Sequence, residues 1–253
     1  MKRIVVFSII VILALSGVFF VWKKLDDRVI EEPVSSLQVY ESLRPTLTSR
    51  ATQAEPELIT DIGSMSVEIN LAVPFTVQAP HANWEYPYGD FCEEASVLMA
   101  ASYIEGWAIP NPDFADQKLH EIKNFELQRF GYHKDTTAEE TAVILKEFYK
   151  INGVKVVYDP AVADIKSALN EKKVIIIPAA GRKLGNPYFR QPGPFYHMLV
   201  IKGYTKEGNF VTNDPGTRRG ADFIYDPGVL MNAIHDWNGG DVDQGRKVMI
   251  VVG

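Results

Sequence analysis

Hydrophobic and polar positions divide the chain into three zones. From Ile4 to Trp22 the run is apolar but for Ser8, Ser16 and Gly17, with Lys2 and Arg3 before it and Lys23 and Lys24 after it. Nineteen helical residues rise roughly 28 Å, close to a bilayer's hydrocarbon thickness. Residues 1–24 are therefore expected to form a signal anchor or transmembrane helix. Bulky Phe19, Phe20, Val21 and Trp22 follow the nearest small-residue site, Leu15-Ser16-Gly17, which favours an uncleaved anchor. Residues 25–70 lack a sustained period and are rich in Glu, Ser, Thr and Pro, which reads as a tether. About 45 flexible residues span on the order of 35 Å.

Periodic structure begins at Leu71. Ala95 to Ile104 predicts a buried helix with Ala95, Leu98, Met99 and Ser102 on one face. A second helix is expected over Asp113 to Phe130. A third covers Thr137 to Asn152, opened by the capping box Thr137-x-x-Glu140. Beyond it the period shortens. Lys155–Tyr158 and Val174–Pro178 read as strands on either side of a helix over Ala161–Lys172. His197–Tyr204 and Asn209–Asp214 form a hairpin about Lys206-Glu207-Gly208, and Lys247–Val252 supplies a last strand. Helices first and strands later predict an α+β domain over residues 71–253 with segregated halves.

The 253 residues are 46% hydrophobic, enough to build a core, and 23% charged. A net charge of −6 and no basic stripe argue against a nucleic-acid partner. The basic residues before the apolar run favour the N-terminus inside. That makes a single-pass protein of the cell membrane with its domain extracytoplasmic. The sequence contains one cysteine, so no intrachain disulfide forms.

That cysteine, Cys92, lies in DFCEEASVLMAASYIEG. Asp90-x-x-Glu93 reads as a capping box with Asp90 as N-cap and Glu93 at N3, which puts Cys92 in the first turn, where free N–H groups favour a thiolate. Equally, a lone Cys on a core helix is often an inert small hydrophobe, and Glu93 and Glu94 oppose a thiolate. A nucleophilic thiol needs a base and a group to orient it. His197 starts one strand of the hairpin and Asp214 ends the other, so both project from one end. Singly, His197 also fits a core histidine, and Asp214 of Asn-Asp-Pro-Gly a turn former. Gln78 upstream can supply a side-chain amide to an oxyanion beside the Cys92 N–H, or simply end a strand.

VPFTVQAP, FCEEASVLMAASYIEG, YHMLVIKGY and FVTNDPG, in that order, resemble the papain-like family-thirty-nine cysteine peptidases, the double-glycine-leader type, and above all their stand-alone "family-thirty-nine-like" branch. The resemblance runs from about Leu71 to Gly253. It implies a papain-like α+β fold, with an N-terminal helical half carrying the Cys and a C-terminal twisted antiparallel sheet carrying His and Asp. It also implies hydrolysis of peptide or amide bonds, with Cys92 as nucleophile, His197 as general base and acid, Asp214 as orienter and Gln78 as oxyanion-hole donor. Leader-processing members are commonly fused to a multi-span exporter. This chain has one apolar span and no Walker-type glycine motif.

The expected partners are a peptide or protein substrate and, through the N-terminal helix, a membrane. Trp84, Tyr86 and Tyr196 are candidate substrate-binding residues, with Tyr88 a further aromatic of the same stretch. Arg182, Lys183 and Arg190 precede His197 and are candidate partners for a substrate carboxylate. No metal or organic cofactor is expected, since His81, His120, His133 and His235 make no HExxH or paired-ligand spacing. Two rivals share these residues: a cell-wall amidase or acyltransferase on the same fold, and a non-catalytic peptide-binding module in which Cys92 is inert.

Overall fold

A computed structural model describes residues 68–253. The expected anchor and the tether up to residue 67 lie outside the described residues. Among the described residues, no helix is long and apolar enough to cross a membrane.

Among the described residues the fold is α+β, five helices around a seven-stranded, wholly antiparallel sheet. Three helices come first: α1 (Cys92–Glu105), α2 (Pro112–Arg129) and α3 (Ala138–Val143). Asn111 caps α2 by accepting from Phe114 N, with Pro112 at the first helical position, where its missing N–H costs nothing. Thr137 and Glu140 close the expected capping box at the start of α3. The helix read over Thr137–Asn152 is shorter, for α3 passes into one π-helical turn over Ile144–Phe148 and stops.

The strands are β1 (Ile69–Asn70), β2 (Val154–Tyr158), β3 (Val174–Ala180), β4 (Tyr196–Tyr204), β5 (Phe210–Asn213), β6 (Phe223–Tyr225) and β7 (Val248–Val252), in spatial order β2-β7-β3-β4-β5-β6. β1 pairs with β4, so the chain joins the sheet within the stretch read as tether. Gly203 permits this, because a Cβ there would sit 1.9 Å from Ile69 O. Pro178 lies inside β3 without cutting the sheet. β7 pairs β3 only over Val174–Ile176, so the missing N–H falls beyond its end.

The helical half and the antiparallel sheet are present as expected, and helices cover both faces of the sheet. Alternate residues of β3 and β4 feed two cores. Val174, Ile176, Met198 and Val200 pack with α1, α2 and α3. Ile175, Ile177, Leu199 and Ile201 pack with α4 (Val162–Asn170) and α5 (Pro227–Ala233). A sheet covered on both faces reads as continuous hydrophobic runs, and every residue of β3 and β4 is buried. α1 lies deepest, with Cys92 to Ser102 all buried. Its apolar and small residues surround the whole helix, as in a helix enclosed by core.

Candidate active site

The start of α1 differs from the sequence expectation. Phe91 is the N-cap and offers no side-chain bond. Asp90 belongs instead to a short 3-10 turn over Tyr88–Asp90 and pairs with Lys134 at 3.0 Å. Glu93 is buried, accepting from Thr136 N at 3.2 Å and from the Cys92 thiol at 2.9 Å. The Asp90–Glu93 capping box does not form, because tertiary partners take both carboxylates. Cys92 thus opens the helix, and the amides of a first turn have no carbonyl four residues back.

Burial pushes the Cys92 thiol well above its ordinary pKa, and the neighbouring Glu93 and Glu94 carboxylates add to it. A hydrogen bond from the Met198 backbone works the other way. Glu93 is itself pushed up to about 8 by burial.

His197 and Asp214 meet. His197 Nε2 lies 2.8 Å from Asp214 Oδ1, with side chains 1% and 0% exposed. The hairpin explains the meeting. Val200 pairs Asn213 and Ile201 pairs Thr212, so the two-residue alternation puts His197 and Asp214 on one face. Asp214 uses all its acceptor capacity: Oδ1 also takes Gly216 N at 3.0 Å, and Oδ2 takes Tyr225 Oη at 2.7 Å and Asn186 Nδ2 at 3.1 Å. Burial alone would raise its carboxyl, but the His197 charge and hydrogen bond, with the Tyr225 and Gly216 donors, outweigh it and hold the group below the usual carboxylate range. Gly216 is sterically required, since a Cβ there would lie 2.8 Å from Phe189 Cε1 and 2.9 Å from His197 Cε1. Phe189 meets the His197 ring edge-on at 5.3 Å. With Nε2 held by Asp214, Nδ1 is the ring nitrogen available for proton transfer.

Cys92 and His197 share the wall of one cleft of about 610 Å³, which Gln78, Trp84, Phe189, Tyr196 and Gly216 also line. Gln78 is tied to the turn after Asp214 through its N–H to Pro215 O at 3.0 Å. Both hydrogens of its Nε2 go to carbonyls, Tyr88 O at 3.0 Å and Gly89 O at 2.9 Å, and Oε1 is buried without a partner. Tyr196 offers the cleft its ring, while its hydroxyl donates inward to Thr136 O at 2.9 Å. Trp84 is half-exposed on the wall. Tyr86 lies outside it, with its hydroxyl 3.2 Å from His133 Nε2. Tyr88 packs on Phe91 and donates to Asp116 at 2.7 Å.

Of the three expected basic residues, only Arg190 reaches the cleft. Arg182 stacks on Phe195, and Lys183 pairs with Asp243 at 3.0 Å. Arg218 and Arg219, which the motif reading passed over, complete a basic rim with it. Asn186 and Tyr225 were missed too. Each approaches Asp214 from a segment with no pattern of its own, so no local signal marked them. A third omission lies behind Cys92, where Glu94, Glu126 and His133 converge with all three side chains buried. Burial pushes Glu94 up, and Glu126 up to about 9.

The fold and the Cys/His/Asp cleft define a cysteine-peptidase-like domain. The model of the peptidase C39 like family matches residues 70–238, and the chain belongs to that family. A crystal structure of a candidate C39-like peptidase from Bacillus anthracis is similar to this chain at 13% identity, covering 74% of this chain and 98% of that one, with a TM-score of 0.45. No curated protein matches the sequence.

Proposed function

We propose that this domain is a cysteine peptidase that hydrolyses peptide bonds in its cleft through Cys92, His197 and Asp214. The observation that carries the reading is the buried 2.8 Å His197–Asp214 contact on the wall that holds Cys92. In the resting arrangement the thiol hydrogen is given to Glu93. Catalysis requires the thiol to turn from Glu93 to His197 Nδ1, which takes the proton. The sulfur then attacks the carbonyl carbon, the C–N bond breaks, and His197 returns the proton to the leaving amine. Water, deprotonated by the same imidazole, cleaves the thioester and frees Cys92. The Cys92 N–H at the helix start suits the oxyanion, and Gln78 joins it when Nε2 releases one of its two carbonyls. The decisive experiment is digestion of unstructured peptides by the wild-type chain and by Cys92→Ala, with products read by mass spectrometry. Equal turnover by both would defeat the proposal.

The rim of Arg190, Arg218 and Arg219 supports a preference for acidic peptides. Among the described residues, the arginine–carboxylate pairs are Arg129–Glu147 and Arg246–Asp159, so the rim arginines are not among them. Reversing Arg218 to Glu is expected to lower kcat/KM for an acidic peptide by up to roughly 5-fold, about 1 kcal/mol for an exposed pair, and less at 0.5 M salt. A neutral peptide serves as control, and an equal loss on both substrates would sink the preference.

The domain's place outside a membrane, held by residues 1–24, belongs to the same proposal and rests on the apolar run. The full-length chain is expected to stay in the membrane pellet through alkaline carbonate washing, with a C-terminal tag open to protease in intact cells. Release into the wash, or a protected tag, would overturn it.

A further inference from the structure

Glu94, two residues after Cys92, has no role in the chemistry above. It sits in the first turn of α1, is fully buried, and neither of its oxygens has a hydrogen-bond partner. Glu126, near the end of α2, is in the same condition. Two carboxylates facing each other in a core without a donor are costly, because burying a charge demands a compensating one. The third member of the group is not an acid. His133, 4% exposed, turns an unpartnered Nδ1 toward Glu94 Oε1 at 3.3 Å. Its other nitrogen, Nε2, lies 3.2 Å from the Tyr86 hydroxyl. A neutral imidazole that donates from Nε2 to Tyr86 carries its lone pair on Nδ1, the nitrogen that faces the carboxylates. A hydrogen bond at the far nitrogen is the usual way a ligating histidine is held.

We infer that Glu94, Glu126 and His133 bind a divalent transition-metal ion, with Zn²⁺ the best match. Ligand atoms from the three side chains lie within 4.8 Å of one another. Bonds of about 2.0–2.1 Å in a tetrahedral site put neighbouring ligand atoms about 3.3 Å apart, which is the His133–Glu94 separation. Glu126 closes the remaining gap by a small side-chain movement. Two carboxylates and a neutral imidazole carry two negative charges, which a divalent ion cancels. The nitrogen donor selects zinc over calcium and magnesium, which prefer all-oxygen sites. The ion would pin α1 at its first turn to α2 and to the segment that carries Thr136, whose N–H holds Glu93 beside the thiol. A water would take the fourth tetrahedral position, the ion's role would be to hold these segments together, and the inference stands whether or not the cleft is catalytic.

The test uses the full-length chain carrying Cys92→Ser, so that no thiol competes for zinc. After equilibration with 10 μM ZnCl₂ and gel filtration, elemental analysis is expected to find one zinc per chain. Chelator should strip it and lower Tm by about 5–10 °C, a shift reversed by Zn²⁺ but not by Ca²⁺. Glu126→Gln and His133→Asn should each weaken zinc binding at least 10-fold. The opposite result is equally definite. If no zinc is retained, chelator leaves Tm unchanged and Glu126→Gln is neutral or stabilising, the two carboxyls hold a shared proton instead and the inference is wrong. Neither outcome touches peptide hydrolysis, which is read separately in the Cys92 protein.

Discussion

Cys92→Ala is expected to lower kcat/KM for peptide hydrolysis by about 10⁴-fold or more, with Tm within a few degrees of the wild type. The nucleophile's loss removes the acyl-enzyme route altogether, and what remains is binding and oxyanion stabilisation. The fold should tolerate the change, since the sulfur leaves only a small void and Glu93 keeps its bond from Thr136 N. His197→Ala should act as one unit with it: the double variant is expected to be no slower than either single one, because base and nucleophile serve the same step. Steady-state kinetics on one cleaved peptide, beside thermal unfolding, checks both. Unchanged hydrolysis in Cys92→Ala would mean that turnover does not use this thiol, and absence of hydrolysis in both proteins would assign the cleft to peptide binding alone. If peptides resist the wild type while a peptidoglycan digest yields new amines, the cell-wall amidase reading takes its place.

Asp214→Asn carries the second large effect, about 10²–10⁴-fold in kcat/KM with KM little changed. The amide cannot satisfy all its neighbours. With Nδ2 toward His197, Nε2 must accept, so the imidazole proton moves to Nδ1, the position that has to take one from the thiol. With Oδ1 toward His197, Nδ2 faces the Asn186 amide hydrogens and the Tyr225 hydroxyl, and buried donors confront each other. Stability should change with pH as well. The carboxyl of Asp214 lies below its ordinary value in the folded chain. Its contribution is therefore present above the unfolded value of about 3.9 and is lost as pH falls through the lower folded one. The Tm gap between wild type and Asp214→Asn should be widest near pH 6 and shrink steadily below pH 4. A gap independent of pH would mean that the carboxylate's charge contributes nothing to folding.

Asn186 and Tyr225 show what the sequence conceals. The hairpin was legible because its turn and its alternation are local, but the register shift between Ile201 and Gly203, which brings His197 and Asp214 to one face, carried no such local signal. The Thr137–Glu140 capping box was legible because it too is local, being three residues wide. Asp90–Glu93 has the same spacing and failed. There the tertiary environment offered each carboxylate a better partner, Lys134 to one and the Thr136 N–H and thiol to the other. A local motif holds only where no distant group competes for its atoms.

The family blocks singled out Cys92, His197, Asp214 and Gln78 without revealing what each touches. The thiol bonded to Glu93, and the Gln78 amide spent on two carbonyls, depend on how the start of α1 and the turn before it pack together. The continuous apolar strands 174–180 and 196–204 carried the signal that both faces of the sheet are covered, but not which helices cover them.

By itself, then, the sequence determined the family, the hairpin and the helices and strands other than β1, β6 and α5, because these follow from local motifs, periodicity and contacts a few residues apart. Only the tertiary structure decided the cap of α1, the arginine rim, the support beneath Asp214 and the meeting of Glu94, Glu126 and His133. Those groups come from segments tens of residues apart, and nothing in the spacing between such segments says which faces will pack together once the core closes.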